Sequence, residues 1–142
     1  MNQWFNKYTD IPYKLFGTDP TTGMDCFNLL CYVFKQEAGI LIPYTSSDFL
    51  KMVDDLWFTK THEQHFLNGS KNGDWVEVST LQPYDLILMC LGATNVVNHV
   101  AMYVGNNKIL QMIENRDSAI YDYHKYFKQY TIKKVRWKSL KS

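Results

Sequence analysis

A cysteine, a histidine and a glutamine occur in this sequence in the order and surroundings of a thiol-based catalytic site. Cys26 lies in GMDCFNLL (residues 23–30), where the apolar spacing predicts a helix that begins at the thiol. His99 begins the apolar run HVAMYV, which is typical of a strand. The N–H groups and dipole of a helix start lower a thiol pKa, and a nearby imidazole can hold the proton. The pair predicts a cysteine hydrolase.

A histidine base needs a third residue at its far ring nitrogen, and Gln111 on the next predicted strand is the candidate. The loop between the two strands is GNN (105–107). If all three residues form the loop, Gln111 lies diagonal to His99 on one face of the sheet. If only the two asparagines form the turn, Gln111 moves to the opposite face. Glu114 is the charged alternative.

The other cysteines and histidines have simpler interpretations. Cys31 and Cys90 lie inside apolar runs, which predicts core positions, and His124 is predicted to be exposed. His62 and His65 lie in a polar stretch and are predicted to be solvated. The spacing of the first two cysteines and of these two histidines is not that of usual zinc pairs, so we expect no metal and no cofactor.

Size and composition indicate one folded domain over residues 1–142, with 46% hydrophobic and 15% aromatic residues. A net charge of +1 gives no overall case for nucleic acid or membrane, so neither is an expected partner. Three cysteines cannot all pair, which favours free thiols and synthesis in a reducing compartment. The start MNQWFNK has no apolar signal core, so we expect no signal peptide and no unaided export by the general secretory route.

The basic residues concentrate near the C-terminus. They are Lys133, Lys134, Arg136, Lys138 and Lys141. Such a run usually keeps an edge strand soluble, and a patch for an anionic ligand is the alternative.

Helical patterns come first in the chain and strand patterns follow. Residues 8–23 are rich in Pro and Gly and predict loop and turn. The first helix has Asp25 as its N-cap and ends at Gly39, and a second helix is predicted within residues 46–57. The predicted strands are Trp75–Val78, Asp85–Met89, His99–Val104, Lys108–Ile113 and Thr131–Trp137. This order predicts an α+β fold with helices packed on one side of an antiparallel sheet.

Four motifs in sequence order resemble those of the NlpC/P60 family of papain-like cysteine peptidases, over residues 8–137. IPY followed by Gly17 resembles the family's first-loop motif G-x-P-Y-x-x-G-G, and MDCFNL resembles its nucleophile motif D-C-S-G-L. QPYDLI is similar to its P-G-D-L strand, and HVAMYVGNNK to its H-V-G-I-Y-x-G-N-G-K hairpin. The chain differs from the motifs at Phe16, Phe27, Asn28 and Tyr84, where the family carries small residues.

The resemblance implies a papain-like fold and a peptidase that cuts peptidoglycan stem peptides next to γ-D-glutamyl residues. Cys26 is then the nucleophile, His99 the base and Gln111 the residue that orients it. Backbone N–H groups at the helix start, including that of Cys26, are implied donors to the oxyanion. Tyr13 and Asp25 are further candidates for substrate or oxyanion contacts. We expect Asp25 mainly to cap the helix, because a carboxylate beside a thiolate raises the thiol pKa.

The short form looks most like family members encoded in bacteriophage tail modules. This likeness implies synthesis in the cytoplasm of a bacterial host, a virion tail location, and action in the cell wall or periplasm. It also implies tail-tip proteins as partners beside the peptidoglycan peptide. The alternative is a non-catalytic structural or assembly protein of a tail tip with the same fold. Its basis is the bulky residues around Cys26 and the 10 Tyr and 4 Trp available for contact surfaces.

Overall fold

The computed structural model describes residues 3–42, 75–91 and 99–138. The elements in chain order are a 3₁₀ helix Trp4–Tyr8, β1 Thr18–Asp19, β2 Gly23–Met24, α1 Cys26–Val33 with a π-helical extension Phe34–Ala38, β3 Trp75–Glu77, β4 Leu86–Met89, β5 His99–Gly105, β6 Lys108–Gln111, β7 Ala119–Asp122, α2 Lys125–Gln129 and β8 Thr131–Trp137. The helix predicted within residues 46–57 lies outside the described residues. Within the described ranges, no helix is long and apolar enough to cross a membrane.

Six of the strands form one antiparallel sheet in the order β3-β8-β4-β5-β6-β7. Each of the five predicted strands is present, and their ends differ from the prediction by at most two residues. The α+β fold class is therefore confirmed, with a cysteine-bearing helix packed on the sheet.

Five short elements were not predicted, namely the 3₁₀ helix, β1, β2, β7 and α2. β1 and β2 form a two-residue ladder in the stretch predicted to be loop, because Gly23 and Met24 pair with Asp19 and Thr18. β7 is a half-exposed edge strand without clear alternation, and α2 has only five residues. Elements this short bury too little surface to impose a periodic sequence pattern.

The sheet is covered on both faces. All four residues of β4 are buried, and alternate side chains join different clusters. Leu88 belongs to the larger cluster with Leu30 of α1, and Ile87 to the smaller cluster with Phe127 of α2. The sheet face opposite α1 is thus covered by the short helix α2, which the sequence did not predict.

β8 lies inside the sheet, between β3 and β4. The expectation that its basic residues protect an edge strand is therefore wrong. Arg136 forms a two-pronged ion pair with the fully buried Asp85, Nε to Oδ1 and an Nη to Oδ2 both at 2.7 Å. This pair ties β8 to the start of β4, since a buried carboxylate requires a charged partner.

Candidate active site

The helix that carries Cys26 begins as predicted, and Asp25 is its N-cap. One carboxylate oxygen of Asp25 accepts the N–H of Asn28 at 2.9 Å, and the other accepts the N–H of Phe16 at 2.9 Å. Asn28 also donates its side-chain amide to the carbonyl of Gly17 at 2.9 Å. Asp25 and Asn28 therefore fix the helix start and the preceding loop to each other.

This loop has little spare room and an unusual backbone. A Cβ at Gly17 would lie 2.2 Å from the carbonyl oxygen of Gly23, so only glycine fits there. Phe16 has φ 64°, and Tyr84 has φ 77° in the strand motif. Both stand where the family motifs carry glycine, and each adopts the left-handed backbone at a cost of about 1–2 kcal/mol. Phe16 and Tyr84 therefore keep the backbone geometry of a glycine, although their side chains are bulky.

The environment of the Cys26 thiol raises its pKa from the usual 9.0 to about 12. Burial is the main cause of this rise. The neighbouring Asp25 carboxylate is the second cause, because a nearby negative charge disfavours the thiolate. The backbone N–H groups of Val100, Phe27 and Cys26 act in the opposite direction. The predicted lowering by the helix start is present but is outweighed, so the resting sulfur is a thiol at neutral pH.

The course of β5 explains why the Val100 N–H is available to the thiol. Tyr103 forms its main-chain bonds, at 2.8 and 3.0 Å, with the segment that leads into β4. The bonding direction alternates along an antiparallel strand, so the N–H of Val100 points to the β6 side. β6 ends at Gln111, which lies opposite Ala101, one position short of Val100. The sulfur of Cys26 takes the place that a longer β6 would occupy.

The β5–β6 hairpin combines the two alternatives that the sequence left open. Asn106 and Asn107 have φ 53° and 61° and form a two-residue turn, with Gly105 opposite Lys108. The register shifts between Tyr103 and Gly105, so the residue between them is an extra, bulged residue. The inference that a two-residue turn would move Gln111 to the other face is wrong, because the bulge restores the register.

Gln111 consequently meets His99. Nε2 of the His99 ring and Oε1 of Gln111 are 2.8 Å apart, and both side chains are buried. An amide oxygen only accepts, so Nε2 carries the proton and Nδ1 is left as the basic atom. The amide nitrogen of Gln111 is buried and, among the described residues, has no hydrogen-bond partner. Glu114, the charged alternative, is exposed.

Burial lowers the pKa of His99 from 6.5 to about 4, and the hydrogen bond that the ring donates to Gln111 opposes that shift. The imidazole is therefore neutral at pH 7, as a base must be before it accepts a proton. Within the part of the chain that the structure describes, no hydrogen bond joins the ring to the Cys26 sulfur. Direct contact between sulfur and Nδ1 stays a prediction.

Tyr13 lies in the neighbourhood of the thiol. Burial, and after it the charges of Glu114, Cys26 and Asp25, raise its pKa to about 12. Its backbone bridges to Met24, two residues before Cys26. Its contact with a substrate stays a prediction, as does any such contact by Asp25.

Ser118 is a supporting residue that sequence reasoning missed. Its hydroxyl accepts the N–H of Ile11 at 2.9 Å and donates to the carbonyl of Tyr8 at 2.7 Å. Its main chain bonds Ile11 and Asp10, both at 2.8 Å. The segment before Tyr13 is thereby fixed to the loop after β6. A lone serine in a polar loop offers no pattern that reveals such a role.

The remaining predicted residues divide between confirmed and untested. None of the three cysteines, all of which lie within the described residues, forms a disulfide. Cys90 is buried, but Cys31 is half-buried against the core rather than fully inside it. His124 is exposed, as predicted. His62 and His65 lie outside the described residues.

The comparisons with known proteins agree with this architecture. The chain is 29% identical over 100 residues to the murein DD-endopeptidase MepH of Escherichia coli, covering 70% of this chain and 30% of that protein. It is 27% identical over 105 residues to a gamma-DL-glutamyl hydrolase of Bacillus subtilis, covering 74% and 21%. It thus spans less than a third of the length of either relative.

The fold also matches a crystal structure of a NlpC/P60 family protein from Bacillus cereus ATCC 10987. The TM-score is 0.61 at 24% identity, covering 90% of this chain and 36% of that chain. The shared fold is an α+β fold in which a helix packs on an antiparallel sheet. The model of the NlpC/P60 family matches residues 10–136, and the chain belongs to that family.

Proposed function

We propose that this protein is a cysteine peptidase that hydrolyses peptidoglycan stem peptides next to γ-D-glutamyl residues. Cys26 is the nucleophile, His99 the base and Gln111 the positioning residue. The observation that carries the proposal is the 2.8 Å bond between His99 Nε2 and Gln111 Oε1, since it leaves Nδ1 unprotonated for the thiol. Family membership and the two relatives, named as wall-peptide and glutamyl hydrolases, support the same chemistry.

The reaction begins from neutral partners. As the Cys26 sulfur attacks the peptide carbonyl carbon, His99 Nδ1 takes the thiol proton. The carbon–nitrogen bond then breaks, the leaving amine takes that proton from Nδ1, and a thioester remains on Cys26. Nδ1 next removes a proton from water, whose oxygen attacks the thioester carbon. The carbon–sulfur bond then breaks, the peptide leaves with a new carboxyl group, and the proton returns from Nδ1 to the sulfur.

The charges that form in this sequence are met by fixed backbone groups. The N–H of Val100 lies at the sulfur and stabilises the thiolate as the proton leaves. The N–H groups at the start of α1, including that of Cys26, are the proposed donors to the carbonyl oxygen. A resting thiol and a neutral imidazole imply that the proton moves to His99 as the sulfur attacks, and not in the free protein.

The choice of the bond that is cut is itself part of the proposal. The names of the two relatives differ in this respect, since one is a DD-endopeptidase and the other a gamma-DL-glutamyl hydrolase. The γ-glutamyl choice follows the resemblance of the loop and nucleophile motifs. Mass spectra of released fragments distinguish the two bonds, because only cleavage beside the γ-glutamyl residue separates it from the following diamino acid.

Digestion of purified peptidoglycan tests the catalytic proposal. The wild type should release peptides with new amino termini, and Cys26→Ala should release them about 10³-fold more slowly. Cys31→Ala is the matched control, since Cys31 lies on the same helix and packs against the core. Equal release by wild type and Cys26→Ala would exclude the catalytic role of Cys26, and release by neither protein would favour the structural alternative.

A bacteriophage tail is the proposed setting, with the host cell wall as the site of action and tail-tip proteins as partners. Its support is the likeness of the sequence to short family members of tail modules. Detection of the protein in purified virions by quantitative mass spectrometry tests this setting. Absence from virions, together with secretion by uninfected cells, would contradict it.

A further inference from the structure

The linking segment, residues 10–14, is bonded at one end to the loop that precedes the nucleophile. Met24 donates its N–H to the carbonyl of Pro12, and Lys14 donates its N–H to the carbonyl of Met24, both at 2.9 Å. Met24 lies two residues before Cys26. This end of the linking segment is therefore fixed to the residues that lead into α1.

The other end of the linking segment is bonded to Ser118, which directly precedes β7. The N–H of Asp10 donates to the carbonyl of Ser118, and the N–H of Ser118 donates to the carbonyl of Ile11, both at 2.8 Å. The Ser118 hydroxyl accepts the N–H of Ile11 at 2.9 Å and donates to the carbonyl of Tyr8 at 2.7 Å. Four hydrogen bonds thus converge on one fully buried serine.

The backbone at this end of the linking segment needs that support. Asp10 has a left-handed backbone with φ 65°, which residues other than glycine adopt at some cost. Such a conformation persists only where the surrounding structure holds it. The bonds of Asp10 and Ile11 to Ser118 supply this restraint. A residue remote in sequence therefore sets the course of the linking segment.

Ser118 also relates the linking segment to the base side of the candidate site. The next residue, Ala119, is paired with Gln111 at the end of β6. Gln111 is the residue whose Oε1 lies 2.8 Å from Nε2 of His99. The linking segment carries Tyr13, so one serine joins the backbone of Tyr13 to the strand end at the base.

The side chain that depends on this restraint is that of Tyr13, which is only half-buried. Burial, and after it nearby negative charges that include Cys26, raise the pKa of Tyr13 to about 12. The hydroxyl is therefore protonated at neutral pH and can donate a hydrogen bond beside the thiol. A hydroxyl donates effectively only within about 3 Å, so a displacement of about 1 Å removes such a contact.

We propose that Ser118 is a positioning residue of the candidate site, whose hydroxyl holds the linking segment so that the Tyr13 hydroxyl lies beside Cys26 and contacts the substrate. The inference rests on the proposed function for this substrate contact. Ser118 acts through Tyr13, since it is itself fully buried. A serine that only stabilised the fold would affect the free energy of unfolding and leave the site unchanged.

A double-mutant cycle on a γ-glutamyl peptide tests this role. Ser118→Ala removes the acceptor of the Ile11 N–H, and kcat/KM should fall about fivefold. Tyr13→Phe should cause a similar loss, and the double variant should lose little more than either alone, because both changes remove the same contact. Additive losses, or no loss in Ser118→Ala, would overturn the positioning role.

Two further variants keep the cycle decisive. Tyr123→Phe is the matched control, because it removes a hydroxyl that bonds Thr131 at 2.7 Å in the smaller cluster, and it should leave kcat/KM unchanged. Ser118→Cys replaces the hydroxyl by a weaker hydrogen-bonding group. If the alanine variant does not fold in urea denaturation, the cysteine variant should show the same coupling to Tyr13 with a smaller loss.

Alkylation of Cys26 by iodoacetamide separates this inference from the proposed function, because it requires no hydrolysis. Release of the linking segment should admit water to the thiol, whose pKa is raised mainly by burial. Mass spectrometry should show the Cys26 fragment alkylated about threefold faster at pH 8 in Ser118→Ala, and at the wild-type rate in Tyr123→Phe.

The alkylation rates have distinct outcomes. Equal rates in Ser118→Ala and wild type would overturn the positioning role, even where the wild type cleaves the peptide. Faster alkylation of Ser118→Ala, with no cleavage by the wild type, would support the placement of the linking segment by Ser118 and overturn the proposed function alone.

Discussion

The two halves of the candidate site are held in place by different means. On the nucleophile side, a loop with a close backbone contact at Gly17 and a strained Phe16 is bonded to the start of α1 through Asp25 and Asn28. On the base side, the register of two strands and one bulge place Gln111 against His99. The position of the thiol thus depends on local loop geometry, whereas the position of the imidazole depends on the pairing of strands in the sheet.

This difference predicts separate failures. A change in the loop should move the sulfur and leave the His99–Gln111 pair intact. A change in the pair should alter proton transfer and leave the loop intact. The variants below are chosen to damage one half at a time.

Loss of the base should have the largest effect. His99→Ala removes the proton acceptor of the thiol, and kcat/KM for peptide hydrolysis should fall about 10³-fold. Steady-state kinetics on a stem peptide measure the effect, with circular dichroism to verify folding. Hydrolysis within threefold of the wild type would contradict the role of His99.

The buried imidazole should also make stability depend on pH. Folding lowers the pKa of His99 from 6.5 to about 4, so the unfolded chain binds a proton that the folded protein excludes. The contribution of the neutral His99 ring to the free energy of unfolding is therefore complete above pH 6.5 and is lost as the pH falls toward 4. At about 1.4 kcal/mol for each pH unit, the loss is about 3 kcal/mol.

Urea denaturation of wild type and His99→Gln at pH 7 and pH 4 measures this loss. The wild type should lose about 3 kcal/mol more than the variant, since the carboxylates titrate in both proteins. The same pH dependence in the two proteins would show that His99 is not buried as a neutral ring.

The loop contact at Gly17 tests the nucleophile side. Gly17→Ala places a Cβ 2.2 Å from the Gly23 carbonyl, so backbone must shift at a cost of about 2 kcal/mol. Activity should fall more than stability alone explains, because the same loop is bonded to Asp25. Gly39→Ala is the control, since its Cβ meets nothing within 4 Å and its φ of 67° costs about 1 kcal/mol. Equal activity of the two variants would contradict the link between loop and thiol.

The orienting residue should have the smallest effect. Gln111→Leu removes the acceptor for Nε2, so kcat should fall about tenfold while KM stays unchanged. Gln111→His retains a ring nitrogen that can accept this hydrogen bond and should restore most of the activity. An identical loss in both variants would indicate a packing role for Gln111.

On the base side, the sequence predicted the two strands and their candidate residues, but not the turn and bulge that set the register between the strands. The sequence predicted a diagonal pair of His99 and Gln111 only for a three-residue loop, and the structure contains a hydrogen bond between the two residues. The mechanism of that pairing was not predictable, because two asparagines with positive φ and one bulged residue produce the same register as a three-residue loop. Strand alternation alone does not reveal an extra residue.

On the nucleophile side, the sequence predicted where the helix of Cys26 begins, but not the raised pKa of the thiol. Asp25 as N-cap and Cys26 as first helical residue follow from local spacing. The raised pKa of the thiol depends on burial by segments remote in sequence, and no local pattern reports that burial. Likewise Ser118 acts over more than 100 positions of sequence, through bonds to Tyr8 and Ile11.

Trapping of the covalent intermediate tests the central claim most directly. The protein is quenched with acid during turnover of a γ-glutamyl peptide, digested and analysed by mass spectrometry. The account predicts an acyl group on the fragment that contains Cys26, linked as a thioester that hydroxylamine removes. Hydrolysis of the peptide without an acyl group on Cys26, or with one on Cys31 or Cys90 instead, would contradict it.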